Sequence, residues 1–294
     1  MVERDQQKGK IRQPALLYAY REFEVIGQIL TIALIGLVVG GLGSMLGIGG
    51  GVLLIPLLTG LVGLPIKTAI GASIISVIAT SSAAGAVYVG QGMSHTRLAM
   101  VMEIATTLGA VAGGITAVLL SPNVLSGVFG AVLLYVAYSM SRNTAGEDNY
   151  RLTGRLDTSY IDPKTGQEVR YGVQRLPYGL AASFLAGNIS GLLGIGGGVI
   201  KVPVMNLVMH MPMRASIATS NFMIGITAAT SAVIYYQRGF VDPRVTVPTA
   251  LGVLVGAQIG SRVGGRLHSS LLRNIFRWVL VLFSLQMFYK AFTS

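Results

Sequence analysis

The sequence predicts an all-α polytopic membrane protein made of two tandem homologous repeats, each with a glycine-interrupted helix. Three observations predict it: apolar runs long enough to cross a bilayer, a scarcity of charge, and a glycine motif that recurs at a fixed offset. Of 294 residues, 52% are hydrophobic and 11% charged, against roughly 25% charged in soluble domains. A soluble chain of this size needs charge to cover its surface, so a soluble enzyme fits poorly. The chain has no cysteine, which excludes disulfides, thiolate zinc sites and a Cys nucleophile. Its three histidines, His95, His210 and His268, lie at segment ends and make no metal site. The net charge of +11 sits at the ends of apolar runs and in two polar segments. That distribution suits an anionic membrane surface rather than nucleic acid, and no cofactor is implied.

In chain order, residues 1–24 form a polar tail, too long and too mixed in charge for the start of a signal peptide. The first membrane repeat covers 25–140, with apolar segments at 25–46, 52–62, 68–89, 98–119 and 124–140. A polar linker follows at 141–175. Its Asp162-Pro163-Lys164-Thr165-Gly166 turn signal between β-prone runs predicts a small hairpin. The second membrane repeat covers 176–294, with segments at 176–193, 199–210, 214–236, 246–267 and 271–292. Lipid leaves the backbone of such runs no partner but its own helix, and nothing alternates as barrel strands do. The second segment of each half is too short for the ~20 residues of one span.

The repeat is in register without a gap. Gly47-Ile48-Gly49-Gly50-Gly51-Val52 recurs as Gly194-Ile195-Gly196-Gly197-Gly198-Val199, an offset of 147. At that offset Pro56 meets Pro203, Pro65 meets Pro212, Ser73 meets Ser220, Thr80 meets Thr227, Tyr88 meets Tyr235 and Arg97 meets Arg244. Duplicated halves with interrupted helices are a recurring plan for secondary transporters.

Three consecutive glycines break a helix, since each costs roughly 1 kcal/mol relative to Ala in a helix interior. A new helix then starts at Val52 and at Val199. A helix start offers unpaired N–H groups and partial positive charge, and glycine lets a ligand approach that backbone. Gly49, Gly50 and Gly51, with Gly196, Gly197 and Gly198, are therefore read as two anion cradles. The alternative is close helix packing, which is the preferred reading for the Gly252, Gly256, Gly260 and Gly264 ridge.

Polar residues within apolar spans are candidate functional groups. Lys201 aligns with Leu54 and sits in the first turn after Gly198, where the helix dipole disfavours a cation unless an anion is present. Its alternative is a Lys snorkelling to the interface. Thr219, Ser220 and Asn221 are read as one wall of the site, with Ser73, Ser76 and Thr80 opposite. For any one Ser or Thr the competing role is a bond to its own helix. Glu103, the acidic residue of the apolar body, is a candidate for a coupling proton. Arg97 and Arg244 are candidates for gating, against the plainer role of interfacial anchors.

If each glycine break merely bends one crossing helix, each half crosses four times, and tail, linker and C-terminus share the cytoplasmic side. That arrangement places most Lys and Arg on one side and is favoured by the positive-inside rule. If each break turns the chain back, the repeats are inverted and the two sides carry nearly equal basic charge.

The repeated glycine motif, Pro56 and Pro203, and the Pro65 and Pro212 steps leading to Ser73 and Thr219-Ser220-Asn221 resemble the TauE/SafE sulfite exporter family. The likeness covers nearly all of 27–140 and 176–290. It implies eight spans, a prokaryotic cytoplasmic membrane, and sulfite, sulfonates or related small sulfur-containing anions as substrates. The residues themselves point to a small anion. The reading is a secondary transporter of a small oxyanion working by alternating access, with membrane lipid as its surroundings. The alternatives are an anion channel of the same architecture and a transporter of another small solute. No paired acids or nucleophile–base set supports an enzyme, and small-residue faces permit a homodimer.

Overall fold

The computed structural model describes residues 27–45, 49–141, 152, 154, 156–162, 165–263 and 269–293, with the backbone alone at 140–141 and 269–276. The tail 1–24, Gly47 and Ile48 of the first motif, and Gly264, Arg266 and His268 lie outside the described residues. The helices are α1 (Gly27–Met45), α2 (Gly51–Gly60), α3 (Ile66–Gly90), α4 (Thr96–Leu119) and α5 (Pro122–Ser141) in the first half. The second half holds α6 (Leu176–Leu193), α7 (Gly198–Pro203), α8 (Met213–Gln237), α9 (Pro243–Val263) and α10 (Ser269–Thr293). A π turn, Val204–Val208, extends α7 beyond Pro203. Between the halves β1 (Thr158–Ile161) pairs antiparallel with β2 (Glu168–Tyr171), Tyr160 opposite Val169.

These bounds follow the apolar runs closely. The starts of α2, α3, α4 and α5 recur 147 residues later as the starts of α7, α8, α9 and α10. Pro65 and Pro212, both extended at ψ 141 and 139, launch α3 and α8. By length and composition six described helices are able to cross a bilayer: α1, α3, α4, α5, α6 and α8. α9 and α10 are as long but carry Arg244, Arg262, Arg277 and Lys290. Exposed Leu34, Ile104, Leu108, Leu185 and Leu251 face outward, whereas Ser73, Thr80, Thr219, Asn221 and Thr227 are buried. Lipid, unlike water, leaves the hydrophobic residues outside and the small polar ones inside.

The two halves are interleaved. α4 packs in parallel on α6, where a Cβ on Gly109 or Gly113 would collide with the carbonyls of Phe184 or Asn188. α1 packs in the same way on α9, with Gly252 and Gly256 against the carbonyls of Ala33 and Leu37. These are backbone-close small-residue contacts, so the Gly252–Gly260 ridge is used within the chain.

α3 and α8 correspond across the repeat, and they run antiparallel. Gly71 approaches Phe240, Gly85 approaches Phe222, and Ser81 approaches Gly225. α5 and α10 also run antiparallel, with Gly130 beside Phe288 and Gly127 beside Ala291. Equivalent helices that oppose one another make the halves inverted, which overturns the favoured expectation of parallel repeats.

The ends of the bundle confirm the inversion. At one end the linker backbone meets the approach to α8 through Gln174 N–H donating to the Met209 carbonyl, and Asp162 pairs with Arg214. At the other end Lys67 donates to the Val118 carbonyl and Lys290 to that of Thr59. α1–α2 therefore enters and leaves at the end away from the linker, and α6–α7 enters and leaves at the linker end. The start of α1 and the end of α10 lie opposite the hairpin, so the end of α10 does not share a side with the linker; the tail lies outside the described residues. Six described helices, not eight, are long and apolar enough to cross, and each broken helix returns the chain to the end from which it entered. The physical cause is local. Gly49 and Gly50 (φ 81 and 78), like Gly196 and Gly197 (φ 81 and 70), hold a left-handed backbone that turns the chain back rather than bending it.

Candidate functional site

The two glycine tips meet inside the bundle. Gly51, the first residue of α2, lies so close to Gly194, the C-cap of α6, that a Cβ on it would stand 2.6 Å from the Gly194 carbonyl oxygen. Ser73 of α3 donates its hydroxyl to that same oxygen at 2.8 Å. In front of the tips, Val77 and Ile224 flank both Gly49 and Gly196. They are themselves equivalent at the 147-residue offset. Carbonyl and aliphatic groups thus fill the space between the predicted cradles in this conformation. The N–H groups of Leu53 and Leu54 bond the Gly50 carbonyl, and those of Ile200 and Lys201 bond Gly197. The N–H groups able to face a ligand are those of the tips themselves.

Lys201 departs from the symmetry. Its side chain is fully buried and folds back on its own tip, with Cε 3.2 Å from where a Cβ on Gly197 would lie. Nζ donates to Thr227 Oγ1 at 3.1 Å, and Thr227 donates to Glu103 Oε1 at 2.7 Å. Glu103 Oε2 lies 3.9 Å from Lys201 Nζ and has no hydrogen-bond partner. Glu103 is buried as well. The ammonium does not snorkel to the surface. It is the buried Lys or Arg among the described residues. At the 147-residue offset the equivalents are Leu54, Thr80 and Ala250, so this polar triad has no symmetry-related counterpart.

The remaining predicted residues divide. Thr219 is buried and accepts the His95 backbone N–H at 3.0 Å, which fastens the start of α4 to α8. Ser220 is buried beside it. Asn221 donates Nδ2 to the Ile217 carbonyl at 3.0 Å, its backbone carbonyl accepts from Ser81, and its Oδ1 is buried without a partner. Ser76 and Thr80 bond their own helix, at Ala72 and Ser76. Arg97 and Arg244 are exposed at the starts of α4 and α9, away from the tips.

Other participants carried little signal in the sequence. Thr227 stood out only as the repeat partner of Thr80, yet it links the two charges. His95 is buried at the start of α4. Its Nε2 lies 2.9 Å from the Leu156 carbonyl, its Nδ1 accepts from Leu98 N–H, and its ring stands edge-on to Tyr171 of β2. The predicted hairpin thus packs over the linker end of α4 and α8, where Tyr160, Tyr171, Met102, Met205 and Met209 share one buried cluster. Unpartnered buried oxygens belong to Glu103, Ser183, Asn206, Asn221 and Thr246, on α4, α6, the π turn, α8 and α9. Native interiors keep such groups few, and each calls for a partner.

Comparisons with known proteins point to membrane transporters. The chain is 27% identical over 271 residues to the Probable membrane transporter protein YunE of Bacillus subtilis, covering 90% of this chain and 98% of the relative. It is 24% identical over 258 residues to the Probable membrane transporter protein MJ0441 of Methanocaldococcus jannaschii, covering 79% and 85%. A shorter stretch of 89 residues is 42% identical to Sulfite exporter TauE/SafE family protein 5 of Arabidopsis thaliana, covering 30% of this chain and 20% of that protein. No solved structure matches the chain. The family profile described as Sulfite exporter TauE/SafE matches residues 32–287, and with its broken-helix hairpins and apolar outer surface this multi-pass membrane transporter belongs to the TauE/SafE sulfite exporter family.

Proposed function

We propose that this chain moves a small oxyanion, sulfite or an organosulfonate, across the membrane by alternating access, with the anion held at the second glycine tip beside Lys201. The observation that carries the reading is the burial of the Lys201 ammonium against that tip, with one hydrogen-bond acceptor, Thr227. A buried charge is retained in a membrane interior only where it is paired or functional. The tip N–H groups and the two remaining N–H donors of the Lys201 ammonium supply directional partners for the oxygens of a sulfur anion. The family's description supports the substrate class.

Inverted halves support the mechanism. Two structurally equivalent hairpins enter from opposite ends, and exchange of their conformations opens the same site to either side. Val77 and Ile224 between the tips supply the apolar closure such a cycle needs.

The test is flux into proteoliposomes of labelled sulfite, taurine, sulfoacetate and thiosulfate, with sulfate and chloride as comparison anions. One sulfur anion should accumulate with saturable kinetics. Lys201→Ala should weaken its binding about 10- to 100-fold, the loss of one charge-assisted bond. Flux of every anion equal to protein-free vesicles would sink the reading. Ion currents beyond carrier rates would make the protein a channel.

A further inference from the structure

We propose that Glu103 is the resting occupant of the Lys201 anion site, displaced and protonated when substrate arrives, so that one proton accompanies each anion held there. The proposal rests on the reading above that Lys201 receives an anion.

The geometry is that of a loosely held counter-ion. Lys201 Nζ and Glu103 Oε2 are 3.9 Å apart, beyond hydrogen-bond reach, and meet through Thr227. One carboxylate oxygen is bonded and the other is not. The ammonium has three N–H donors and uses one of them on Thr227. A permanent structural ion pair in a buried setting is held by close, fully satisfied contacts, because each missing bond leaves a desolvated charge. Here both partners keep capacity that an oxyanion can use.

Charge conservation sets the rest. In the empty site an ammonium and a carboxylate balance. If a monoanion takes the ammonium, Glu103 is left buried as an unpaired carboxylate, which is costly in a low-dielectric interior. Uptake of one proton by Glu103 removes that cost and restores neutrality. No other charged side chain competes for the role among the described residues. α6 brings no Asp, Glu, Lys or Arg, and Arg214 of α8 is engaged with Asp162 at the linker end. On α4 itself, Arg97 is exposed and His95 is turned to Leu156. Thr227 is placed to hold both states. Its hydroxyl donates to the carboxylate now, and the Met223 carbonyl, 3.2 Å away, accepts the hydroxyl when Glu103 leaves.

The experiment uses purified full-length protein in detergent and a panel of sulfite, sulfate, thiosulfate, taurine and chloride. Glu103→Gln removes the resident counter-ion but keeps the shape. Its melting temperature at low ionic strength should fall below wild type, and a panel anion should raise it several-fold more than it raises wild type. The double variant Lys201→Met with Glu103→Gln, neutral throughout, should lose that anion dependence. In infrared difference spectra, the anion that stabilises wild type should produce a protonated carboxyl C=O band, absent in Glu103→Gln. Equal anion response in wild type and Glu103→Gln, or no carboxyl band on binding, overturns the proposal. If no anion affects any of the three proteins, the anion reading itself has failed. Strong anion stabilisation of wild type, lost in Lys201→Met alone and unchanged in Glu103→Gln, keeps the anion site and removes Glu103 from it.

Discussion

Arg214 Nη1 lies 2.6 Å from Asp162 Oδ1, joining the hairpin between the halves to the first turn of α8. The pair is partly shielded, with side chains 26% and 18% exposed. Partly exposed pairs contribute about 1 kcal/mol or less. Asp162→Ala and Arg214→Ala should each lower the melting temperature by about 2–4 °C. A double-variant cycle should show them non-additive, and additive losses would mean that the hairpin is held by its tyrosines alone.

Inversion makes a sidedness prediction. The chain has no native cysteine, so single cysteines are clean reporters. Gln167 in the hairpin and Arg238 after α8 are both exposed. In inverted halves, Gln167→Cys and Arg238→Cys face opposite sides of the membrane. A membrane-impermeant maleimide added to intact cells should label one and spare the other. Labelling of both from the same side would restore the parallel arrangement.

The helix contacts across the halves predict intolerance to a single methyl group. Gly113→Ala and Gly256→Ala place a Cβ onto the carbonyls of Asn188 and Leu37. Overpacking of this kind costs about 1–3 kcal/mol. Gly90→Ala, where a Cβ meets nothing within 4 Å, is the control. Melting in detergent should fall for the first two and hold for the third.

Two tyrosines tie the long helices to the chain just before the glycine tips. Tyr235 donates to the Leu192 carbonyl at 3.0 Å and Tyr88 to the Ser44 carbonyl at 3.3 Å. Replacing either by Phe leaves a buried carbonyl short of a partner, a loss of about 1 kcal/mol. Stability measurements on Tyr235→Phe and Tyr88→Phe should show losses of that size, smaller for the longer bond.

Much of this was readable in the residues. Apolar run length located the helices, and the glycine triplets located the breaks. Pro65 and Pro212 marked the starts of α3 and α8, and the turn signal at 162–166 marked the hairpin. The direction taken after each break was not readable. A gapless repeat aligns identically whether its copies are parallel or inverted, and basic charge split between the two ends gives the positive-inside rule little to weigh. The backbone of Gly49 and Gly50 decided it. Lys201 and Glu103 each stood out as charges within apolar segments. Their meeting depends on how α4, α7 and α8 converge, and a hydroxyl such as Thr227 is common enough to carry no signal of its own.

The exchange of ridges, α1 onto α9 and α6 onto α4, has a consequence for biogenesis. Residues 27–141 made alone would present α4 with its glycine face open to lipid, and α1 likewise. Neither half is then an autonomous folding unit. The first must wait in the bilayer until the second is synthesised and inserted with the opposite orientation. Co-expressed halves should recover what separate halves lack.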